Sequence, residues 1–285
     1  MTRSLCLGYS TCPNDTFLFY ALAHGLIPLD DPVPDHLALD IRLADVEELN
    51  RAAAAHTLDI TKLSFAALGR LREEWGLLRT GAALGRGCGP LIVAKPDFDP
   101  DRLSSVPLAL PGPGTTAALL TGLYLGCPPE AAPMVFDEIM PAVARGDVLA
   151  GVIIHEGRFT YDRYGLTVLV DLGQWWEEET GMPIPLGGIA IRRELGPDLA
   201  CVMESAIGKS VQWAMDHPDG PSDYIREYAM EMEEEVIRRH IGLYVNEFTR
   251  NMGKEGIEAV DLLFRRAEEA GLMTPFSGPL FACPS

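Results

Sequence analysis

Apolar positions in this chain come in two textures: short unbroken runs, and longer stretches in which they recur at helical spacing. Runs of the first kind end repeatedly in a loop of small polar residues that opens onto a stretch of the second kind. Leu5-Cys6-Leu7-Gly8-Tyr9 passes through Ser10 to Thr16 into Phe17 to Leu22, which reads as a helix stopped by Gly25. Asn14 and Asp15 stand where an N-cap is expected. Asp59 to Ser64 reads as a second strand, with Ser64 capping Phe65 to Leu68. Val106 to Leu110 reads as a third, followed by Pro111-Gly112-Pro113-Gly114-Thr115-Thr116 and a helix from Ala117. Leu149 to Ile154 is another unbroken run, the signature of a buried parallel strand, and it closes in His155-Glu156-Gly157.

Beyond residue 191 the pattern is helical. Asp198 to Asp216 places Leu199, Val202, Met203, Ile207 and Val211 on one face, and Gly256 to Ala270 does the same with Ile257, Val260, Leu263 and Ala267 before Gly271. Ser222-Asp223 is expected to cap a helix between them. Such stripes face a core. Two apolar, glycine-containing segments, Gly87 to Lys95 and Pro185 to Ile191, read as crossings that leave a first lobe and return to it. The expected architecture is α/β, a two-lobed clamshell of the type II periplasmic-binding-protein kind with two crossover segments. Residues 1–92 and 189–285 form its discontinuous first lobe and 93–188 the inserted second.

With 285 residues, 47% of them hydrophobic, the chain has enough material for about two ordinary domains. Its 23 Lys and Arg against 41 Asp and Glu give a net charge of −18, which on average repels nucleic acid and anionic membrane surfaces. Glu177-Glu178-Glu179 and Glu231 with Glu233-Glu234-Glu235 read as solvated helix faces. No run approaches the roughly 18 uncharged apolar residues of a membrane span. Met1-Thr2-Arg3-Ser4 enters Leu5-Cys6-Leu7 without the apolar stretch of a signal peptide, so a cytoplasmic setting is expected. Six scattered cysteines, with no C-x-x-C pair and no histidine at ligand spacing, are expected to be buried thiols, and no metal site is expected.

The chemistry concentrates at loop positions. Ligands of open α/β sheets lie beyond the carboxyl ends of strands, and His155 ends such a run with a group that titrates near neutrality. The plainer alternative is a core histidine with both nitrogens satisfied. Helix N-termini after the three earlier strands offer unpaired N–H groups and about half a positive charge each, suited to a carboxylate or phosphate. The Gly112 to Thr116 loop lacks the G-K-[ST] ending of a nucleotide-hydrolysing loop. Cys12 is a candidate nucleophile with no base beside it in sequence. Trp175 and Trp176 read as interface packing, or as a stacking platform for an aromatic ligand. Arg158 and Tyr161 are further candidates for the cleft. Glu156 neighbours His155 on an extended strand and so points to the opposite face, which places the partner that orients the imidazole elsewhere.

Five ordered motifs carry a resemblance to a known family. They are Ser10 to Phe17 (STCPNDTF), Thr61 to Ala66 (TKLSFA), Pro111 to Ala117 (PGPGTTA), Gly151 to Gly157 (GVIIHEG) and Trp176 to Gly188 (WEEETGMPIPLGG). Together they resemble the 1,4-dihydroxy-6-naphthoate synthases of the futalosine route to menaquinone. The resemblance implies a lyase that converts cyclic dehypoxanthine futalosine into 1,4-dihydroxy-6-naphthoate with loss of dihydroxyacetone. It implies His155 as proton acceptor, Lys62, Leu63, Ser64, Thr115, Thr116 and Ala117 as substrate-binding residues, and no cofactor. Asn14 joins them as a candidate for the same cleft, and a small aromatic carboxylate is the expected partner. Two other readings share the fold. A non-catalytic solute-binding protein for a small carboxylate is disfavoured by the missing secretion signal and by a histidine at the cleft. A chorismate dehydratase-like lyase of the same pathway is set apart by the Gly151 to Gly157 run.

Overall fold

In the computed structural model, which describes residues 3–29, 37–229 and 233–284, the apolar runs are drawn into two mixed sheets. The strands in chain order are β1 (Arg3–Tyr9), β2 (Leu37–Leu43), β3 (Ile60–Ser64), β4 (Trp75–Leu77), β5 (Ala83–Gly85), β6 (Leu91–Ala94), β7 (Leu108–Leu110), β8 (Ala131–Pro133), β9 (Ala150–Ile153), β10 (Thr167–Asp171) and β11 (Ile184–Arg192). Between and after them run α1 (Pro13–Ala23), α2 (Val46–Ala54), α3 (Phe65–Arg70), α4 (Thr116–Leu125), α5 (Phe136–Arg145), α6 (Gly157–Thr160), α7 (Leu172–Thr180), α8 (Pro197–Asp216), α9 (Ser222–Tyr228), α10 (Glu234–Tyr244), α11 (Glu247–Arg250) and α12 (Gly253–Glu269).

The first sheet has the order β2-β1-β3-β11-β4, with β5 also on β11; the second has the order β10-β6-β9-β7-β8. Strands β1, β2 and β3 run parallel because helices return the chain between them, whereas β11 comes back from the second sheet and pairs antiparallel with β3, β4 and β5. The run ending at His155 is likewise parallel on one side only: β9 pairs parallel with β7 and antiparallel with β6. That run is still fully buried over Ala150–Ile153, so its composition reports burial rather than strand direction, and Leu149 lies outside it, 45% exposed.

The helical stripes pack as their spacing predicts. In α8, Val202 is buried and Met203, Ile207 and Val211 pack with Leu5, Leu7, Ile189 and the helix α1, while in α12, Val260, Leu263 and Ala267 join a core that also holds Leu63, Val152 and Trp176. This second core passes without a break from one sheet to the other. No helix among the described residues is long and apolar enough to cross a membrane.

Three expected caps take other roles. Cys12 occupies the N-cap of α1, and Asn14 and Asp15 fall inside its first turn. Ser64 is the N-cap residue of α3, yet its side chain makes no cap bond, and Pro221, not Ser222, precedes α9. In the first two cases a long-range partner outbids the local one, as the site below makes plain. The acidic runs are exposed on their outer positions but are also tied down: Glu177 accepts from the Gly87 N–H at 2.7 Å, and Glu233 pairs with Arg163. Glu231 lies outside the described residues.

Not all six cysteines are thiols. Cys201 of α8 and Cys283 form a disulfide, with Cys6, Cys12, Cys88 and Cys127 free. The pairing escapes the sequence because it depends on the C-terminal segment returning to β4, where Leu280 and Ala282 bond the backbone of Leu77.

Helix α7 begins against the link between β5 and β6, the Leu172 N–H donating to Pro90 at 3.1 Å. A methyl added at Gly173 would stand 1.7 Å from the Cys88 carbonyl oxygen, whereas one at Gly242 in α10 meets nothing within 4 Å. Gly173→Ala is therefore expected to cost about 3 kcal/mol, the upper end for overpacking, and Gly242→Ala to add up to about 1 kcal/mol through helix propensity. Chemical denaturation of the two variants beside the parent checks both signs.

Candidate active site

The turn between β1 and α1 is wrapped around one carboxylate. Asp15 is 1% exposed. Its Oδ2 accepts from Ser10 Oγ at 2.7 Å and from the Ser10 N–H at 3.2 Å; its Oδ1 accepts from Lys62 Nζ and from Asn14 Nδ2, both at 2.9 Å. A buried charge must be paired and hydrogen-bonded to be tolerable, and Asp15 is both. This is why Asp15 does not cap its helix. Lys62 gives a further hydrogen to the Gly81 carbonyl at 3.2 Å, so its ammonium is committed to the protein.

Asn14 and Lys62 line a cleft with an open mouth, together with Ser64, Thr115, Thr116 and Ala117. His155 stands in its wall. These residues arrive from both sheets: from the β1–α1 turn and β3 on one side, and from the start of α4 and the end of β9 on the other. Leu63 is the exception. Alternation along β3 sends Lys62 and Ser64 to the cleft and Leu63 to the opposite face, where it is fully buried in the core.

The hydroxyls expected to hold an anion already have protein partners. Ser64 is gripped by Asn50, whose Nδ2 donates to Oγ at 3.2 Å and whose Oδ1 accepts from the Ser64 N–H at 3.0 Å. Thr115 caps α4, accepting from the Ala118 N–H at 3.2 Å while donating to the Gly112 carbonyl at 2.8 Å. Thr116 donates to the Leu186 carbonyl at 2.6 Å and accepts from the Ala66 N–H at 3.2 Å, tying α4 to β11 and α3. What α4 leaves free of intrahelical bonding at the cleft is its first-turn N–H groups, at Thr116 and Ala117.

A carboxylate does sit on the glycine loop, and it is the protein's own. Glu47 of α2 accepts from the Gly114 N–H at 3.1 and 3.3 Å, and burial pushes its carboxyl above the usual range. Gly112, at φ +139°, lies so close to Glu47 that an added Cβ would stand 2.4 Å from that side chain. Only glycine fits there.

His155 follows β9 with φ +56°, one of two non-glycine residues at positive φ among those described. A histidine in the left-handed region carries backbone strain, which persists only where the surroundings over-determine it. Here the imidazole is held by Cys12, whose Sγ lies 3.3 Å from Nδ1, and by the ring of Phe136 with centroids 5.2 Å apart. Among the described residues none hydrogen-bonds Nε2. Burial lowers the pKa of His155, against the carboxylates of Glu156, Asp15 and Asp45, so the neutral form is favoured. Cys12, the candidate nucleophile, has its thiol driven well above the usual range by burial and stays protonated. The partner that orients His155 is therefore this neutral thiol, 143 positions away in the chain.

Among the residues of the wall beyond the expected set are His240 and Tyr244 of α10. Their spacing held a signal: Val236, Ile237, His240 and Tyr244 lie on the one buried face of that helix. Arg158 is turned away to Asp171 and the Gly89 carbonyl, and Tyr161 packs under the second sheet. Trp176 is fully buried with Nε1 donating to Pro183, and Trp175 stands edge-on to Tyr124 with centroids 5.5 Å apart, so both are packing residues of α7.

The sequence matches, over residues 5–269, a protein family described as menaquinone biosynthesis. The chain belongs to that family. Within it the chain is 49% identical, over 98% of its own length and 99% of the other, to the 1,4-dihydroxy-6-naphthoate synthase of Thermus thermophilus. It is 45% identical, over 97% and 96%, to the synthase of that name from Streptomyces coelicolor. The family's activity is enzymatic, that of a lyase. A crystal structure of a protein from Archaeoglobus fulgidus superposes with a TM-score of 0.87 at 34% identity, covering 95% of this chain and 98% of that one. A Candida albicans protein with the generic periplasmic binding protein fold superposes at 0.66 with 12% identity, over 96% and 92% of the two chains. The family fold is thus the periplasmic-binding-protein clamshell expected from the alternation of runs and loops.

Removing one member of the buried Asp15–Lys62 pair strands the other. Lys62→Met is expected to destabilise by about 3 to 5 kcal/mol, and the double variant Asp15→Asn with Lys62→Met to recover part of that loss. Urea unfolding of the parent, both single variants and the double variant measures the coupling; additive losses would show that the pair does not act as one unit.

Proposed function

We propose that the enzyme acts on cyclic dehypoxanthine futalosine, releasing 1,4-dihydroxy-6-naphthoate and dihydroxyacetone, with His155 as the proton acceptor. The observation that carries this reading is the neutral imidazole of His155, set on a backbone at positive φ in the wall of a cleft that both sheets contribute to. Backbone strain at a cleft residue is kept for function more readily than for packing. In the base-competent tautomer, Nδ1–H points to the Cys12 sulfur and Nε2 receives the proton. Removing one proton starts a fragmentation in which the three-carbon piece departs as the new ring becomes aromatic, so the driving force calls for no redox cofactor or metal.

The substrate carboxylate is received by the first-turn N–H groups of α4 at Thr116 and Ala117. Asn14, Lys62, Ser64 and Thr115 shape the pocket around it. The molecule has a net charge of −18, yet surface carboxylates are screened beyond about 8 to 10 Å, and helix dipoles at the cleft are not. The lobes 1–92 with 189–285 and 93–188 are taken to close over the ligand. A chorismate dehydratase-like activity is the second reading, supported by the family's place in menaquinone biosynthesis and by first-turn N–H groups suited to an anion.

Incubation of the purified protein with cyclic dehypoxanthine futalosine and, separately, with chorismate, followed by mass spectrometry, decides between them. Release of 1,4-dihydroxy-6-naphthoate from the first alone is the expected result. His155→Gln is expected to lower turnover at least about 100-fold with little change in ground-state affinity, the usual scale for a positioned base. Near-normal turnover in that folded variant would remove His155 from the mechanism.

The pH dependence follows from the direction of the shift. An imidazolium accepts no proton, so kcat/KM falls as pH drops through the pKa of His155, and burial places that limb below the ordinary imidazole value of about 6.5. Because the cause is local, the limb is expected to stay in place as salt is raised. A limb above neutrality at low salt that moves down with added salt would mean that the surface charge governs the base.

A further inference from the structure

Two buried polar atoms in the wall beside His155 face each other without a hydrogen-bond partner. Oε2 of Glu156 and Nδ1 of His240 are 4.0 Å apart, and His240 is 1% exposed. The surrounding network determines the tautomer of this second histidine. Asn14 turns its amide nitrogen to Asp15 Oδ1 at 2.9 Å, so its oxygen faces His240 Nε2, also at 2.9 Å, and Nε2 must be the donor. A neutral imidazole protonated on Nε2 presents a bare lone pair at Nδ1, and an ionised carboxylate presents nothing but lone pairs. Two such acceptors opposed in a dry wall are each unsatisfied and repel. One proton placed between them satisfies both.

We propose that Glu156 and His240 hold a single proton between Oε2 and Nδ1, and that His240 thereby acts as a positioning residue for the base, cancelling the charge of Glu156 next to His155. A small torsional adjustment of the Glu156 side chain closes the gap. With one proton between them the pair carries no net charge, and burial disfavours an imidazolium at His240. The rings of His155 and His240 are near parallel with centroids 6.4 Å apart, so a charge at this position acts on His155 at short range.

The charged and titratable groups around His155 make Glu156 the decisive one. Asp15 on the β1–α1 turn is cancelled by Lys62 of β3, Asp45 before α2 is engaged by the N–H groups of Glu47 and Glu48, and Asp137 of α5 is exposed. Cys12 and Tyr244 are both held in their neutral forms by burial. Glu156 exerts the strongest carboxylate influence on His155, and ionised it would favour the imidazolium that cannot accept a proton.

This inference rests on His155 being the base, but its test reads the imidazole directly. Histidine-labelled protein is titrated by NMR as the parent, as His240→Gln and as Glu156→Gln. In His240→Gln an amide N–H is offered to Oε2 in place of the shared proton, and a donor to the charged form favours a carboxylate, so the proton affinity of His155 is expected to rise about tenfold and the acidic limb of kcat/KM to move with it. In Glu156→Gln the amide nitrogen donates to Nδ1 and replaces the shared proton, so the His155 midpoint is expected to match the parent and thermal stability not to fall. A folded His240→Gln with an unchanged His155 midpoint would overturn the proposal. So would a Glu156→Gln midpoint about one unit below the parent, since Glu156 would then have been charged all along; this second arm serves if His240→Gln does not fold. A failure of the reaction assignment appears instead in the turnover of His155→Gln and leaves the titration intact.

Discussion

The cleft depends on a carboxylate taken out of water. Asp15 is tolerable in the interior because Lys62, Asn14 and both polar atoms of Ser10 converge on it. Each of those bonds also does something for the site. The ion pair clamps the β1–α1 turn to β3, and the bond from Asn14 decides which way that amide faces. The amide in turn decides which nitrogen of His240 carries hydrogen, at a separation of 226 residues. A buried ion pair is weak evidence for stability, but a fully satisfied polar network specifies one arrangement against its alternatives, and that is its part here.

Around this anchor the imidazole of His155 is kept neutral by local means. The net charge of −18 argues for a protonated imidazole, and the burial of His155 argues against one. Burial prevails in direction because desolvation acts on the ring itself whereas distant carboxylates act through water and salt. A neutral thiol at Nδ1 suits this arrangement. A carboxylate there would hold the ring just as well, but would raise its proton affinity.

The same economy governs the loops that look made for anions. Glu47 closes the glycine loop of the second sheet from a helix of the first, and Thr116 ties α4 to β11 and α3. Polar groups that a sequence reader assigns to ligand are in good part spent on joining the sheets. What remains for a ligand at the start of α4 is backbone N–H, which cannot be altered by substitution except through proline.

The features that the sequence by itself determined are those set by a residue's neighbours in the chain. Periodicity places Val202, Met203, Ile207 and Val211 inward on α8, and an unbroken apolar run places His155 at the end of β9. Alternation already separates Leu63 from Lys62 and Ser64. Only the tertiary structure decided the rest. Asp15 is a network centre and not a cap because Lys62 arrives from β3, 47 residues on. Cys12 is the partner of His155 because two loops of different sheets meet. Cys201 finds Cys283 because the C-terminal segment returns to β4, and His240 enters the cleft from a helix whose sequence shows only an amphipathic stripe. Local patterns carry which face of an element is buried; they carry no information on what it is buried against, because that is set by the docking of elements far apart in the chain.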